Sequence, residues 1–274
     1  MADICADGGS VIIDKQIHVN ELKLRFLMTN GCNRNCSFCL NDFQSKPKSE
    51  NEVKYLDSNI AKIALKQYVN SFKGKYPLQV YFSGGEPTLH PNLTEIMKLA
   101  KSLDCRVTLI TNGKFHRSLE PELRNFSDEI HFGTYEKSQE HAEKIKRMKG
   151  LVQGIYPYAD SFFIEFYSAQ GIPIKVFRDF YDTSNRYEDF SKEMKKKFPE
   201  ANLSFRHTGI QENRGPGCNG CTKTCITLKA AWIFPDGGSS PCPQLYKSPL
   251  SYPKTSEEWS KYFSKVEQFH KKGK

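Results

Sequence analysis

Apolar positions along the first three quarters of the chain switch between two periods. Short runs that alternate every second residue are followed by stretches with helical spacing, the signature of parallel strands joined by crossover helices. Leu22 to Thr29 reads as the first core strand and runs directly into a cysteine loop. Asp57 to Phe72 has helical spacing with Asp57 or Ser58 as N-cap, and Leu78 to Phe82 reads as a second strand ending at Ser83-Gly84-Gly85. Asn92 to Ser102 follows as helix. Arg106 to Thr111 is the third strand, ending at Asn112-Gly113, and Glu129 to Thr134 is the fourth.

From Ser138 to Met148 the pattern predicts a surface helix, which Gly154 and Pro157 then interrupt. Ser161 to Gln170 reads as a helix closing at Gly171, with a strand over Phe162 to Tyr167 as the alternative. Ile172 to Arg178 is the predicted fifth strand, Tyr187 to Phe198 a helix stopped by Pro199, and Leu203 to His207 the sixth strand. After Thr208 the rhythm stops. Gly209 to Pro249 is rich in Gly, Pro and Cys, as expected of a metal-stapled module with little core of its own. Thr255 to His270 reads as a helix because Thr255 and Glu258 have capping-box spacing. The expected organisation is an N-terminal extension (1–21), an α/β body (22–208), a cysteine-rich module (209–250) and a C-terminal helix with a basic tail (251–274).

Length and composition fit one sizeable core, with 274 residues of which 38% are hydrophobic. No run of about 18 apolar residues occurs, and the start, MADICADGGS, lacks the features of a secretory signal, so a cytoplasmic protein without membrane contact is expected. Lys and Arg exceed Asp and Glu by 40 to 31, a formal net charge of +9, which brings anionic partners into consideration. The excess is mostly dispersed or terminal: Lys195 to Lys197 close a predicted helix, and Lys271, Lys272 and Lys274 close the chain.

The nine cysteines change the picture most. In a reducing compartment they favour metal or catalytic uses over disulfides. Cys32, Cys36 and Cys39 form one group and Cys218, Cys221, Cys225 and Cys242 another, with Cys5 in the N-terminal extension and Cys105 read as a core thiol. The first group places three thiols within eight residues, one ligand short of a closed tetrahedral site. Three cysteines on a [4Fe-4S] cluster leave one iron open, whereas structural zinc requires a fourth protein ligand.

The string CNRNCSFC, with Phe38 before its last cysteine, resembles the cluster motif of the radical S-adenosylmethionine superfamily. Ser83-Gly84-Gly85-Glu86-Pro87 at the end of the second strand resembles that superfamily's Gly-Gly-Glu-Pro motif. The resemblance spans about residues 22–208 and implies a partial (β/α)6 TIM-like barrel with its chemistry at the strand C-termini. It implies that S-adenosylmethionine presents its amine and carboxylate to the open iron, with Gly84, Gly85 and Glu86 at the ammonium end. One electron from the reduced cluster then breaks the carbon–sulfur bond, and the 5′-deoxyadenosyl radical abstracts hydrogen from substrate. It further implies Phe38 near the adenine, with Thr111, Asn112 and Thr134 approaching the cofactor; Thr111-Asn112-Gly113 also reads as a plain Asn-Gly turn. His90 reads as a residue that opens a helix rather than as a catalyst, and Lys175 and Arg178 reach either an anionic substrate or a salt bridge.

In the second group, the stretch between Cys225 and Cys242 has hairpin character with its turn at Asp236-Gly237. Without context four cysteines also make a zinc ribbon. Beside the upstream motifs, this form resembles the one-cluster Twitch version of the SPASM auxiliary modules, which implies an auxiliary [4Fe-4S] cluster bound by three or four of these cysteines. The leading expectation is a radical S-adenosylmethionine enzyme acting on a small polar metabolite, such as a carbohydrate, a nucleoside or modified purine, or an amino-acid derivative. Its outcome is dehydrogenation, rearrangement, cleavage or cyclisation, and the family implies a flavodoxin or ferredoxin as electron donor. Peptide or protein modification is the alternative. A reading of another class, a non-catalytic metal protein that binds nucleic acid, explains the second cysteine group and the charge but leaves three cysteines beside a GGEP loop unexplained.

Overall fold

The computed structural model describes residues 22–36, 39, 49–178, 186–206, 230–240, 249 and 251–272. Phe38, Cys5, Cys218, Cys221, Cys225 and Cys242 lie outside the described residues. The described residues fall into two compact units, one of residues 22–128 with 230–272 and one of residues 129–206.

The first unit is built on strands β1 (Leu22–Leu27), β2 (Leu78–Ser83) and β3 (Arg106–Thr111), with helices α1 (Ser58–Phe72), α2 (Leu93–Ser102) and α3 (Glu120–Asn125) in the connections. β1 is central. It pairs in parallel with β2 on one edge, Leu22 opposite Leu78. Alternation puts Leu22, Leu24 and Phe26 in the core, where Phe26 stacks on Phe82 at 5.5 Å, and leaves Lys23 and Arg25 half-buried on the other face. There the Arg25 guanidinium lies between Tyr81 and Trp232, 4.4 and 5.0 Å from the ring centroids.

α1 begins where Asp57 accepts the N–H groups of Asn59 and Ile60, so the predicted N-cap is the one used. Its buried stripe ends in Tyr68, Val69 and Phe72, and the Tyr68 hydroxyl donates to the Leu22 carbonyl at 2.5 Å and accepts the Gln79 N–H at 3.1 Å. That one side chain pins the starts of β1 and β2 to the helix.

The last elements of the chain return to this unit. In the numbering of the whole chain they are β8 (Ala230–Ile233), β9 (Ser239–Ser240) and α7 (Ser256–Lys272). β8 lies parallel to β1, Lys23 opposite Ala230, and the predicted hairpin turn carries it into antiparallel β9. The Gly237 N–H bonds the Phe234 carbonyl, with Gly237 at φ +82. α7 opens on the predicted capping box, Thr255 N–H to Glu258 at 3.0 Å and Glu258 N–H to the Thr255 hydroxyl at 3.3 Å. It packs Phe263 against Tyr68 and Phe72, and burial of a phenylalanine there contributes about 2 kcal/mol.

The second unit holds four parallel strands in the order β4 (Glu129–Gly133), β5 (Leu151–Ile155), β6 (Ile174–Phe177) and β7 (Leu203–Arg206). Helices α4 (Gln139–Arg147), α5 (Ser161–Ala169) and α6 (Arg186–Lys197) connect them. Ser138 caps α4 and Asp160 caps α5. The stretch interrupted by Gly154 and Pro157 is a strand after all. The sequence gives six strands before residue 208, whereas the structure has β5 in addition, and Ile172–Arg178 becomes the sixth strand rather than the fifth. Gly154 misleads because its role is packing: a Cβ there would stand 2.6 Å from the Ala159 Cβ. The alternative strand over Phe162 to Tyr167 is overturned, since these residues lie inside α5.

Candidate functional site

The site is laid out by the chain leaving β1. Met28 still bonds the sheet, its N–H donating to the Ser83 carbonyl at 2.8 Å. Residues 29–31 then lie between two partners. On one side Thr29 donates its hydroxyl to the Lys54 carbonyl at 2.8 Å, and Asn30 accepts the Lys54 N–H at 2.6 Å while donating to the Glu52 carbonyl. On the other side Gly85 donates its N–H to the Thr29 carbonyl at 2.6 Å and Glu86 donates to the Gly31 carbonyl at 2.7 Å. The loop reaches Cys32 with its backbone fixed on both sides.

This contact explains the two glycines. A Cβ on Gly84 would stand 2.6 Å from the Thr29 carbonyl oxygen, and one on Gly85 would stand 1.9 Å from that of Gly31. Gly84 also has φ +133, which a side chain disfavours. The close approach that requires glycine in this structure is therefore to the chain's own cysteine loop.

Glu86 sits beneath this junction with none of its surface exposed. One carboxylate oxygen accepts from the Thr88 N–H at 3.1 Å, the Thr88 hydroxyl at 2.6 Å and the Thr111 hydroxyl at 2.7 Å. The other accepts the Asn112 N–H at 2.7 Å. Burial pushes the carboxyl up, and these four donors oppose the shift by stabilising the charged form. The Glu86 side chain thus ties the end of β2 to the end of β3.

Asn112 extends the tie to the first cysteine. Its amide nitrogen is 3.6 Å from the Cys32 sulfur and 2.8 Å from Asn33 Oδ1, and Asn33 in turn donates to the Lys114 carbonyl at 2.7 Å. Burial pushes the Cys32 thiol up, as do the charges of Glu86 and Cys36, while the Arg34 N–H and the Asn112 amide pull it down. Cys32, Cys36 and Cys39 are all half-buried thiols outside any disulfide, with the Cys39 N–H on the Cys36 carbonyl. Among the described residues, no three His, Cys, Asp or Glu side chains stand together closely enough to hold an ion. The donor set itself, three soft thiols on one loop, suits an iron–sulfur cluster.

The structure thus brings Cys32, Gly84, Gly85, Glu86, Thr111 and Asn112 into one hydrogen-bonded junction. Thr134 belongs to the second unit, where its buried hydroxyl accepts the Glu136 N–H. Thr29, Asn33 and Thr88 escaped the sequence reading; each is a short polar residue beside a motif, and only the position within three residues of Cys32 or Glu86 marked it. Arg178 forms the salt bridge of the sequence alternatives, 2.9 Å from Glu188. Lys175 lies 5.5 Å from the Phe177 ring. Cys105 is a core thiol, pushed up to about 12 by burial.

His90 is structural, as read. Its Nδ1 accepts the Asn92 N–H at 3.1 Å, so Nε2 carries the proton and donates to the Leu56 carbonyl at 2.8 Å. Burial holds His90 below the usual histidine range, and does the same to His131 on β4 despite its bond to Glu129 at 2.9 Å. Below about pH 6.5 the unfolded chain takes up protons that these buried rings refuse, so their contribution to stability is lost as pH falls. The urea midpoint is expected to drop between pH 7.5 and 5.5, and to drop less in His90→Gln. An equal drop in the variant would place the dependence on other groups.

Residues 26–157 match the family model described as the Radical SAM superfamily, which brackets Cys32 through the GGEP loop and the end of β3. That segment, a little under half of the chain, is similar to the radical SAM superfamily. Among curated relatives, PqqA peptide cyclase of Gluconobacter oxydans is 30% identical over 125 residues, 45% of this chain and 33% of that protein. GTP 3',8-cyclase of Chlorobaculum tepidum is 30% identical over 93 residues, 33% of this chain and 25% of that protein. The chain spans a third or less of the length of either. The solved structure of anSMEcpe with bound AdoMet and a Cp18Cys peptide matches with a TM-score of 0.62 at 18% identity, covering 92% of this chain and 83% of that one. That likeness, with the parallel strands and crossover helices of each unit, gives the chain the α/β fold of a partial TIM barrel. No helix among the described residues is long and apolar enough to cross a membrane.

Proposed function

We propose that this chain reductively cleaves S-adenosylmethionine on a [4Fe-4S] cluster held by Cys32, Cys36 and Cys39, and uses the product to take hydrogen from a small polar metabolite. The observation that carries this reading is the junction of the GGEP loop with residues 29–31, which fixes the backbone leading into Cys32. When bound, the cluster and S-adenosylmethionine supply the electron and the hydrogen-abstracting radical. The chain supplies position. Gly84 and Gly85 lie flush on the cysteine loop, and Glu86 holds the Thr111 hydroxyl and the Asn112 N–H from beneath. In this proposal these residues bind the cofactor, and Phe38 and Thr134 are further cofactor-binding residues.

An auxiliary [4Fe-4S] cluster at Cys218, Cys221, Cys225 and Cys242, within a module over residues 209–250, completes the proposal, with a flavodoxin or ferredoxin as electron donor. Support comes from the hairpin β8–β9 that leads toward Cys242. A peptide substrate is the second reading, favoured by the identity to PqqA peptide cyclase.

The test is iron and sulfide content after anaerobic reconstitution, with electron paramagnetic resonance of the reduced protein before and after adding S-adenosylmethionine. About eight irons with one cofactor-sensitive signal are expected. About four irons and one zinc would remove the second cluster alone. An intact cluster with no cofactor-sensitive signal would remove the radical reading.

A further inference from the structure

We infer that Asn112 is a positioning residue that sets the reduction potential of the cluster through a hydrogen bond to the sulfur of Cys32. The inference rests on the reading that Cys32 is a cluster ligand, and it assigns the Asn112 side chain to that ligand rather than to S-adenosylmethionine.

The orientation of the amide is fixed by its neighbours. Asn112 Oδ1 accepts the Lys114 N–H at 2.7 Å, and a backbone N–H can only donate, so the oxygen must face Lys114. The NH2 end is thereby turned toward Cys32 Sγ at 3.6 Å and Asn33 Oδ1 at 2.8 Å, an acceptor for each of its two hydrogens. The backbone of Asn112 is held as well, by its N–H on the buried Glu86 carboxylate. Asn33, the residue after Cys32, closes the circuit by donating to the Lys114 carbonyl. Cys32 and Asn112 are thus clamped at two points, and the N–H to sulfur contact is built in rather than incidental.

A donor on a ligand sulfur stabilises the more negative, reduced cluster and raises its potential. Here the donor also offsets Glu86, whose buried charge acts on Cys32 in the opposite sense. Removing the amide nitrogen leaves the negative influence of Glu86 unbalanced, so the cluster becomes harder to reduce.

Two variants separate this from a role in folding. Asn112→Ser keeps a short acceptor for the Lys114 N–H but falls short of the sulfur. Asn112→Asp keeps the size and Oδ1 and replaces the donor with an anionic oxygen. The signal that S-adenosylmethionine perturbs is identified first and then titrated by electron paramagnetic resonance against a redox buffer without S-adenosylmethionine, so that cofactor contacts cannot contribute. The expected order of midpoints is wild type above Ser above Asp. Asn112→Asp is expected to lower the reduction equilibrium constant about tenfold, about 59 mV for one electron. Midpoints equal to wild type in the clusters that assemble would overturn the inference, including the case where iron occupancy falls but the potential of the remaining clusters does not move. Absence of a cofactor-sensitive cluster signal in the wild type is a different failure, and it would overturn the proposed function instead.

Discussion

Gly85→Ala is expected to leave the purified protein short of iron and to lower its stability by about 3 kcal/mol, the upper end of the range for overpacking. The added methyl carbon would stand 1.9 Å from the Gly31 carbonyl oxygen, and both partners are backbone, so no side chain can turn aside. Relief requires the GGEP loop to lift away from residues 29–31. The same carbonyl accepts the Glu86 N–H, so lifting breaks that bond together with the one from Gly85 to Thr29. Glu86 then loses its register with Thr111 and Asn112, and the support under Cys32 goes with it. Gly74→Ala is the matching control: φ is +80 there but nothing lies within 4 Å, so only backbone strain of about 1 kcal/mol is expected and iron loading should be normal. Urea titration and iron analysis of the two variants check this. Full iron in Gly85→Ala would mean that the two loops tolerate separation and that their contact is dispensable.

Cys36→Ala is expected to reduce S-adenosylmethionine cleavage to background after anaerobic reconstitution. With three thiols on the first loop, removing one leaves two, too few to hold a four-iron cluster that also keeps an iron open for the cofactor. Cys105→Ala is the comparison, because that thiol is buried in the core, its sulfur near the Leu103 carbonyl, and its removal should leave cleavage intact. Cys242→Ala is expected to cleave S-adenosylmethionine while failing to turn over substrate. Chromatographic assay for 5′-deoxyadenosine separates Cys36→Ala from the other two, and substrate turnover separates Cys242→Ala from Cys105→Ala. Cleavage by Cys36→Ala at the rate of the parent would remove the first cysteine group from the proposed chemistry.

Most of the strands were legible because their apolar residues are neighbours in sequence: Arg106–Thr111 has the bounds its pattern predicts. Leu151–Ile155 was not, since its Gly154 makes room for Ala159 and Phe163, a packing demand that looks like a break when only the neighbours in sequence are visible. The cysteine and GGEP motifs were legible for the same local reason. Their connection was not, because it runs through pairs such as Gly85 with Thr29 and Asn112 with Asn33, far apart in sequence and without any period. The two glycines were visible as part of a motif, but what requires them, a facing carbonyl, belongs to the fold.

The parallel pairing of β1 with β8 brings Lys23 opposite Ala230, and that reach has a cost during synthesis. β2 is available to β1 soon after both leave the ribosome, while β8 follows about two hundred residues behind β1, some 10–40 s at ordinary elongation rates. For that interval β1 keeps one row of unpaired N–H and C=O groups, an edge that invites pairing with another nascent chain. A chain cut anywhere before Ala230 would keep that edge permanently, and insoluble aggregates rather than an inactive soluble fragment are how such a truncation should fail.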